Sequence, residues 1–421
     1  MFNPKPCPDC GPSPVCHSTE YINAAFARLF MPLFAPFDLI WRQISKLLAW
    51  CNAERLTLPF YRFLAGIGLG TIRTRPDSMD SGLTKCIWEA AEKRGIHMYE
   101  FCPLGRTSGI FAATHGKEAF AFDGLPRPHG PASRALAWMD DKAIMRKKFI
   151  SAGIPVARGG ACLTASGAEK IFSSFGSGPA SLASQGGPAV VKPSTGSRGR
   201  HTTMHVMTRE ELLIAFRKAK QLSPIVVVEE ELSGFVYRPT LIGGKLIAVA
   251  SKEPPHVKGD GAHTVRELTE KENERRGRHA SGLHRIPTDE RAERELGFQH
   301  FTWESIPKAG RVVTLSEKTS RAAGGIIVDY TDAVHPENVK LFERIGAVLE
   351  EPLVGIDFVI RDISRPWREQ EKCGVIECNS LPFIDLHSHP TFGTPRDVAG
   401  ALWEYLFPAT DLTPPTRQET R

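Results

Sequence analysis

Long apolar runs are missing from this sequence. Its most hydrophobic region, residues 24 to 50, is interrupted by Arg28, Pro32, Pro36, Asp38, Arg42 and Lys46, and no stretch approaches the ~20 apolar residues a membrane-spanning helix requires. A secretory core is missing too, because Pro4, Lys5, Pro6 and Cys7 stand where an apolar segment would be needed. Charge of one sign is not in large excess: 53 Lys and Arg against 47 Asp and Glu leave a net charge of +6. Without a concentrated basic face, that balance argues against nucleic-acid binding and suits an enzyme of small anionic molecules. Cysteine is sparse, nine in 421 residues and scattered except near the start, which fits free thiols in a reducing cytoplasm better than a disulfide framework. The P-loop pattern is also lacking, since the lysine beside the glycine-rich turn precedes its glycines.

What is present begins with length. A chain of 421 residues has room for two or three domains and a deep cleft between them. Two short apolar runs of strand type stand out, Gly355-Ile356-Asp357-Phe358-Val359 and Val375-Ile376-Glu377-Cys378-Asn379. Side chains two apart in a strand point the same way, so pairing these strands would gather Asp357, Glu377 and Asn379. Two carboxylates and an amide oxygen suit Mg²⁺; the plainer alternative is two core strands with polar ends. Upstream, the run 189–191 leads into Lys192-Pro193-Ser194-Thr195-Gly196-Ser197-Arg198-Gly199-Arg200. Such a turn can lay backbone N–H groups against phosphate oxygens while the lysine adds a point charge. Lys142, in Asp140-Asp141-Lys142 at the head of a helix predicted through Ser151, supplies a second ammonium.

The first twenty residues contain Cys7, Cys10, Cys16 and His17, half of a zinc pattern. Adjacent Cys16 and His17 would struggle to ligate one tetrahedral ion, so the expectation is a disordered tail with incidental thiols. Residues 24 to 65 read as helical hairpins covering a neighbouring domain, with a membrane-surface or dimerising helix as the alternative. A boundary is expected at 73–77. Beyond it come a helix over 83–94 ending at Gly95, strands over 96–101 and 109–113, a soft loop over 179–188, a helix over 210–219 and a strand over 224–228. Glu229-Glu230-Glu231-Leu232 closes that strand with backbone that could serve an adenine edge. A hairpin follows, turning at Gly243-Gly244. Residues 252 to 310 are so charged that they read as mobile surface, and folded over a cleft they would suit an acidic substrate. A helix over 337–350 and the sequence 386–393 complete the chain, with His387 and His389 read as structural or substrate-contacting in preference to metal-binding.

These motifs fall in a specific order, and the order resembles that of an ATP-grasp carboxylate–amine ligase. The resemblance is to the ATP-grasp region of cyanophycin synthetases and the related domain of bifunctional glutathione synthetases. Carrying it are Asp141-Lys142 with Gly153-Ile154-Pro155-Val156, Val191-Lys192-Pro193, Glu230-Glu231-Leu232 with Gly234 and Tyr237-Arg238, the stretch 255–261, the stretch 329–338, Gly355-Ile356-Asp357-Phe358, Glu377-Cys378-Asn379, and residues 387–396. It covers residues 135 to 408 and leaves 1 to 70 without a counterpart.

The resemblance implies an α/β (α+β) ATP-grasp fold whose two lobes hold ATP between them. Residues 139–408 would form it, with a lid or acceptor insertion at about 252–310. A pre-ATP-grasp α/β domain over 73–138 and an extension over 1–72, a Cys- and Pro-rich tail followed by helices, would precede it, and a tail over 409–421 would follow. It also implies Lys142 and Lys192 on the phosphates, Ser194, Gly196, Ser197 and Gly199 closing over them, and Glu230, Glu231 and Leu232 at the adenine. Asp357, Glu377 and Asn379 would hold Mg²⁺, two ions, with Mn²⁺ as a substitute. Arg238, Arg311, Arg321 and His256 would grip the acylphosphate or the acceptor. The expected reaction passes the γ-phosphoryl group to a carboxylate and lets an amine attack the acylphosphate, forming an amide on amino-acid or peptide substrates. The expected protein is cytoplasmic, without nucleic acid or membrane span, and open to homo-oligomerisation. Departures from the family pattern are Val236 in place of an acid, and Ser316 and Ser320 in place of Arg and Asn, with Arg321 as a stand-in for the arginine. The second, Mur-type ligase domain of cyanophycin synthetases does not follow here, so one kind of bond is expected. The alternatives are a phosphotransferase or ATP-binding protein of the same fold, and a non-enzymatic interaction protein built on the N-terminal cysteines and aromatic helices.

Overall fold

Two glycines turn the hairpin at the centre of the molecule. Strands Phe235–Ile242 and Lys245–Glu253 pair antiparallel around Gly243 and Gly244, whose φ values of +56° and +76° glycine adopts without steric cost. Ile326–Asp329 pairs on one side of this hairpin, and Leu353–Ile360 followed by Gly374–Asn379 on the other, making a five-stranded antiparallel sheet. Leu353–Ile360 is buried along its whole length, as its apolar run, broken only by Asp357, predicts for a strand covered on both faces. Val354, Ile356 and Phe358 pack with Phe149, Leu341, Phe342 and Ile345 of helices Lys142–Ser151 and Pro336–Leu349. By parity, Gly355 and Asp357 point to the opposite face.

The computed structural model describes residues 7, 9–10, 15–30, 53–127, 138–175, 188–196, 199–278, 285–316, 319 and 324–408. Ser197, Ser320, Arg321, most of the 179–188 loop, residues 31–52 of the expected hairpins and the tail over 409–421 lie outside them. A second antiparallel sheet has the order Gly159–Cys162, Val226–Glu230, Ala189–Pro193, Thr203–Val206. Helices Ala165–Ser173 and Arg209–Ala219 cover it. The second helix starts on a capping box between Thr208 and Glu211. These two sheets are the lobes that face each other across the site.

A four-stranded meander, Gly70–Arg73, His97–Pro103, Ile110–His115 and Glu118–Asp123, packs one face on helices Gly82–Glu92 and Val398–Leu406. Tyr61 of helix Thr57–Gly66 meets Phe101 and Ala112 on its other face. The sheet starts at Gly70, before the boundary expected at 73–77.

Two expectations drawn from composition are overturned. The described residues of the stretch expected as mobile surface, 252–310, are folded: strands His256–Lys258 and Val312–Thr314 pair, and helices Val265–Gly277 and Glu290–Phe298 close a core of Val257, Val265, Ile286, Leu296, Trp303 and Val313. The charges lie outside this core, apart from Arg276, which is buried and donates to the Gly324 carbonyl at 2.7 Å. Average polarity hid a few well-spaced apolar residues. Nor are the described residues near the amino terminus a loose tail. Residues 17–30 are helical, Arg28 reaches Asp141 at 2.8 Å, and Asp9 meets Lys218 at 3.1 Å. Among the described residues no helix is long and apolar enough to cross a membrane.

Candidate nucleotide and metal site

Pairing of the two acidic strands sets the site. Asp357 lies directly opposite Glu377, and Gly355 opposite Asn379, so all three oxygen-bearing side chains share the face turned away from the core. Arg238 on the adjacent strand grips Asp357 with two bonds, Nε to Oδ1 at 2.6 Å and Nη2 to Oδ2 at 2.9 Å. Lys252 adds Nζ at 2.9 Å from Oδ1 and 3.1 Å from Oδ2. Burial alone would raise the pKa of Asp357, but Arg238 and then Lys252 overcome it and hold the carboxyl well below the usual range. Gly355 makes room for that arginine, since a Cβ there would sit 3.2 Å from Arg238 Cδ. Glu377 is more open, its side chain 26% exposed. Among the described residues the buried amide Nδ2 of Asn379 has no hydrogen-bond partner.

The lysines reach the same strand from two elements, the helix packed on its own sheet and the second sheet. Asp141 caps helix Lys142–Ser151 by accepting from the N–H groups of Ala143 and Ile144, which fixes Lys142 at the first helical position. Its backbone N–H donates to Ser194 O at 2.8 Å, and Nζ donates to Gly196 O at 2.8 Å and lies 3.7 Å from Glu377 Oε1. Lys192 is buried, bonded to the Glu229 carboxylate, with Nζ 3.4 Å from Ile376 O. The Ser194 hydroxyl is occupied by the Asp141 carboxylate and lies 3.3 Å from Ala143 N. It ties the glycine-rich turn to the helix start. Gly196 and Gly199 hold φ of +120° and +65° in that turn.

This chain is 34% identical over 271 residues to cyanophycin synthetase from Nostoc sp., covering 64% of this chain and 29% of that protein. It is 30% identical over 223 residues to the glutathione biosynthesis bifunctional protein of Listeria monocytogenes, covering 52% of this chain and 29% of that one. It therefore spans less than a third of the length of these relatives. No family model matches. The crystal structure of a bifunctional glutathione synthetase from Pasteurella multocida superposes with a TM-score of 0.58 at 24% identity, covering 79% of this chain and 44% of that one. The chain has the ATP-grasp fold.

Within the ATP-grasp fold, the stretch 230–232 ends the Val226–Glu230 strand. The N–H groups of Glu230 and Glu231 are bonded to Arg158 O at 2.8 Å and Pro188 O at 2.9 Å, and among the described residues Leu232 N–H has no protein acceptor. The Glu230 carboxylate is paired with Arg158 at 2.8 Å and Lys372 at 2.9 Å, and Glu231 with His205 at 2.9 Å, so neither carboxylate is left over for a ligand. His256 and Arg311 sit on the small ribbon of the insertion. His256 Nδ1 is 3.0 Å from Pro254 O, and Arg311 lies 5.8 Å over the Phe301 ring. The structure brings neither into contact with Asp357, Glu377 or the lysines. His387 is buried, its Nε2 2.7 Å from Thr240 Oγ1. Burial first, then Arg238, lower its pKa to about 3, so it stays neutral and structural. Sequence reasoning missed Lys252, Glu229 and Asp141. Lys252 was within reach, because the hairpin register puts it on the same face as Ala250, which lies opposite Arg238.

Proposed function

We propose that this protein is an ATP-dependent carboxylate–amine ligase acting on amino-acid or peptide substrates through an acylphosphate. The observation that carries the reading is convergence: Lys192 of the second sheet and Lys142, at the head of the helix packed on the central sheet, both reach strand Gly374–Asn379, at Ile376 O (3.4 Å) and Glu377 Oε1 (3.7 Å). Ammonium groups and carboxylates thus share one space between lobes, as a bound triphosphate requires. The names of the relatives, cyanophycin synthetase and a glutathione biosynthesis protein, support amide formation.

In this reading Lys142 and Lys192 draw charge from the phosphates, the backbone of 194–199 closes over them, and Leu232 N–H takes the adenine edge. Asp357, Glu377 and Asn379 would hold Mg²⁺, two ions, with Mn²⁺ acceptable: their side chains offer hard oxygen donors on one strand face, and Glu377 is the more open of the two carboxylates. When bound, Mg²⁺ would neutralise phosphate charge. Arg238 fixes Asp357 and delivers positive charge beside the transferred group. The γ-phosphoryl group moves from ATP to a substrate carboxylate, releasing ADP, and an amine displaces phosphate from the acylphosphate. Positioning and charge neutralisation supply most of the acceleration.

Purified protein given ATP, Mg²⁺ and pooled amino acids and dipeptides should release ADP and phosphate in step with a product whose mass is the sum of its parts less water. ATP binding with no such product across the pool would leave the fold and refute the ligase. Lys142→Met should lower kcat/KM for ATP about 10- to 100-fold, the loss of a charged hydrogen bond worth about 1.5–3 kcal/mol, and leave the melting temperature nearly unchanged.

A further inference from the structure

The amino-terminal segment holds a cluster that the nucleotide site does not use. Cys7 Sγ, Cys10 Sγ, a ring nitrogen of His17 and a ring nitrogen of His201 all lie within 4.8 Å of one another. Cys10 Sγ is 3.2 Å from His17 Nε2 and 3.4 Å from His201 Nε2, and Cys7 Sγ is 3.7 Å from His201 Nε2. A tetrahedral ion with Zn–S of about 2.3 Å and Zn–N of about 2.0–2.1 Å has sulfur-to-nitrogen edges of roughly 3.5 Å. The protein donors already stand at those separations.

The surroundings are those of a ligand set. His201 is buried and directs its other nitrogen, Nδ1, to Lys218 O at 2.8 Å, the second contact that orients a metal-binding imidazole. The two cysteines are brought together by a turn in which Cys10 N–H donates to Cys7 O at 3.2 Å. Two further bonds hold that turn against the second sheet and its helix Arg209–Ala219: His201 N–H to Asp9 O at 3.2 Å, and Lys218 to Asp9 at 3.1 Å. Exposed Cys16 takes no part; it bonds Ser18 at 3.3 Å. The difficulty of adjacent Cys16 and His17 sharing one ion therefore does not arise. The fourth ligand comes from 191 residues beyond Cys10, out of reach of any local pattern.

We propose that Cys7, Cys10, His17 and His201 bind one Zn²⁺ ion, clipping the amino-terminal segment to the end of the glycine-rich turn. His201 stands two residues after Gly199, at a φ of +53° that a non-glycine residue rarely adopts. A ligand bond there would fix where the turn ends and begins strand Thr203–Val206. The site does not depend on the ligase reading, because its first readout is metal.

The full-length, untagged chain, purified under reducing conditions and dialysed without chelator, should carry about one zinc per chain by mass spectrometry of the element. Cys10→Ser and His201→Ala should each cut that content at least fivefold, and Cys16→Ser should leave it unchanged. Because a variant can fail to fold, the unsubstituted chain is also stripped and given Co²⁺. Intense tetrahedral d–d bands with a thiolate charge-transfer band near the ultraviolet are expected. The assignment is overturned by any of three results: no zinc together with no tetrahedral cobalt spectrum, full retention of zinc in His201→Ala, or Cys7 and Cys10 joined to each other as a disulfide.

Discussion

Asp357 holds its charge out of reach of water, and two cations make that tolerable. Removing one partner of a buried pair leaves the other charge uncompensated, which costs about 3–5 kcal/mol. Arg238→Met should therefore destabilise by that order in chemical denaturation. Lys252→Met should cost less, because its side chain is 21% exposed against 7% for Arg238 and water can replace part of what it gives. A larger loss for Lys252→Met would contradict the ranking. His387 sets a different dependence. Between its folded pKa of about 3 and the ordinary 6.5, the unfolded chain binds a proton on this ring that the folded protein does not. Stability from this group is thus complete above pH 6.5 and falls as pH drops toward 3, by up to about 1.4 kcal/mol per unit. Arg238, which faces the ring, strengthens the effect. His387→Gln, which can still bond Thr240, should flatten the melting temperature between pH 6.5 and 4. An unchanged acid slope would show that the ring is protonated in the fold. Asp357 adds its own acid sensitivity only below about pH 4, the ordinary carboxylate range.

At the scale of elements, close backbone approaches decide what can change. Gly234, entering strand Phe235–Ile242, has φ of +134°, and a Cβ there would stand 2.3 Å from the Ile360 carbonyl carbon. Gly234→Ala must move backbone against strand Leu353–Ile360, so a loss above about 2 kcal/mol is expected, measured as a shift in denaturation midpoint. A neutral result would mean the two strands can part without consequence for the sheet. Much at this scale was legible beforehand. The helix over 337–350, the hairpin at Gly243-Gly244 and the shared face of Asp357, Glu377 and Asn379 follow from period and parity, which are local properties. Strand Ile326–Asp329 was not legible, since its place depends on pairing with residues 250–253. The structural use of Ser194 was hidden for the same reason. A serine beside glycines looks like a phosphate contact until Asp141, from another segment, is seen to hold its hydroxyl.

For the whole molecule, the question is which parts stand or fall together. The sequence points to a separate small α/β domain over 73–138; the core of its described residues also contains Trp403, Leu402 and Val398 from the last described helix, together with Ile242 and Leu353 of the central sheet. Trp403 is fully buried and donates Nε1–H to Ile87 O at 2.9 Å, joining the last described helix to helix Gly82–Glu92. One core shared in this way unfolds as one unit, because neither side can keep its apolar face covered alone. Trp403→Ala should cost about 3–5 kcal/mol, and the loss should not stay at the carboxyl end. Hydrogen exchange should accelerate in helix Gly82–Glu92 and in strands His97–Pro103 and Ile110–His115 along with helix Val398–Leu406, while the Thr203–Val206 and Val226–Glu230 strands, in the other lobe, keep more of their protection. Acceleration confined to 398–406 would show that the meander is stable on its own and that the helix merely rests on it.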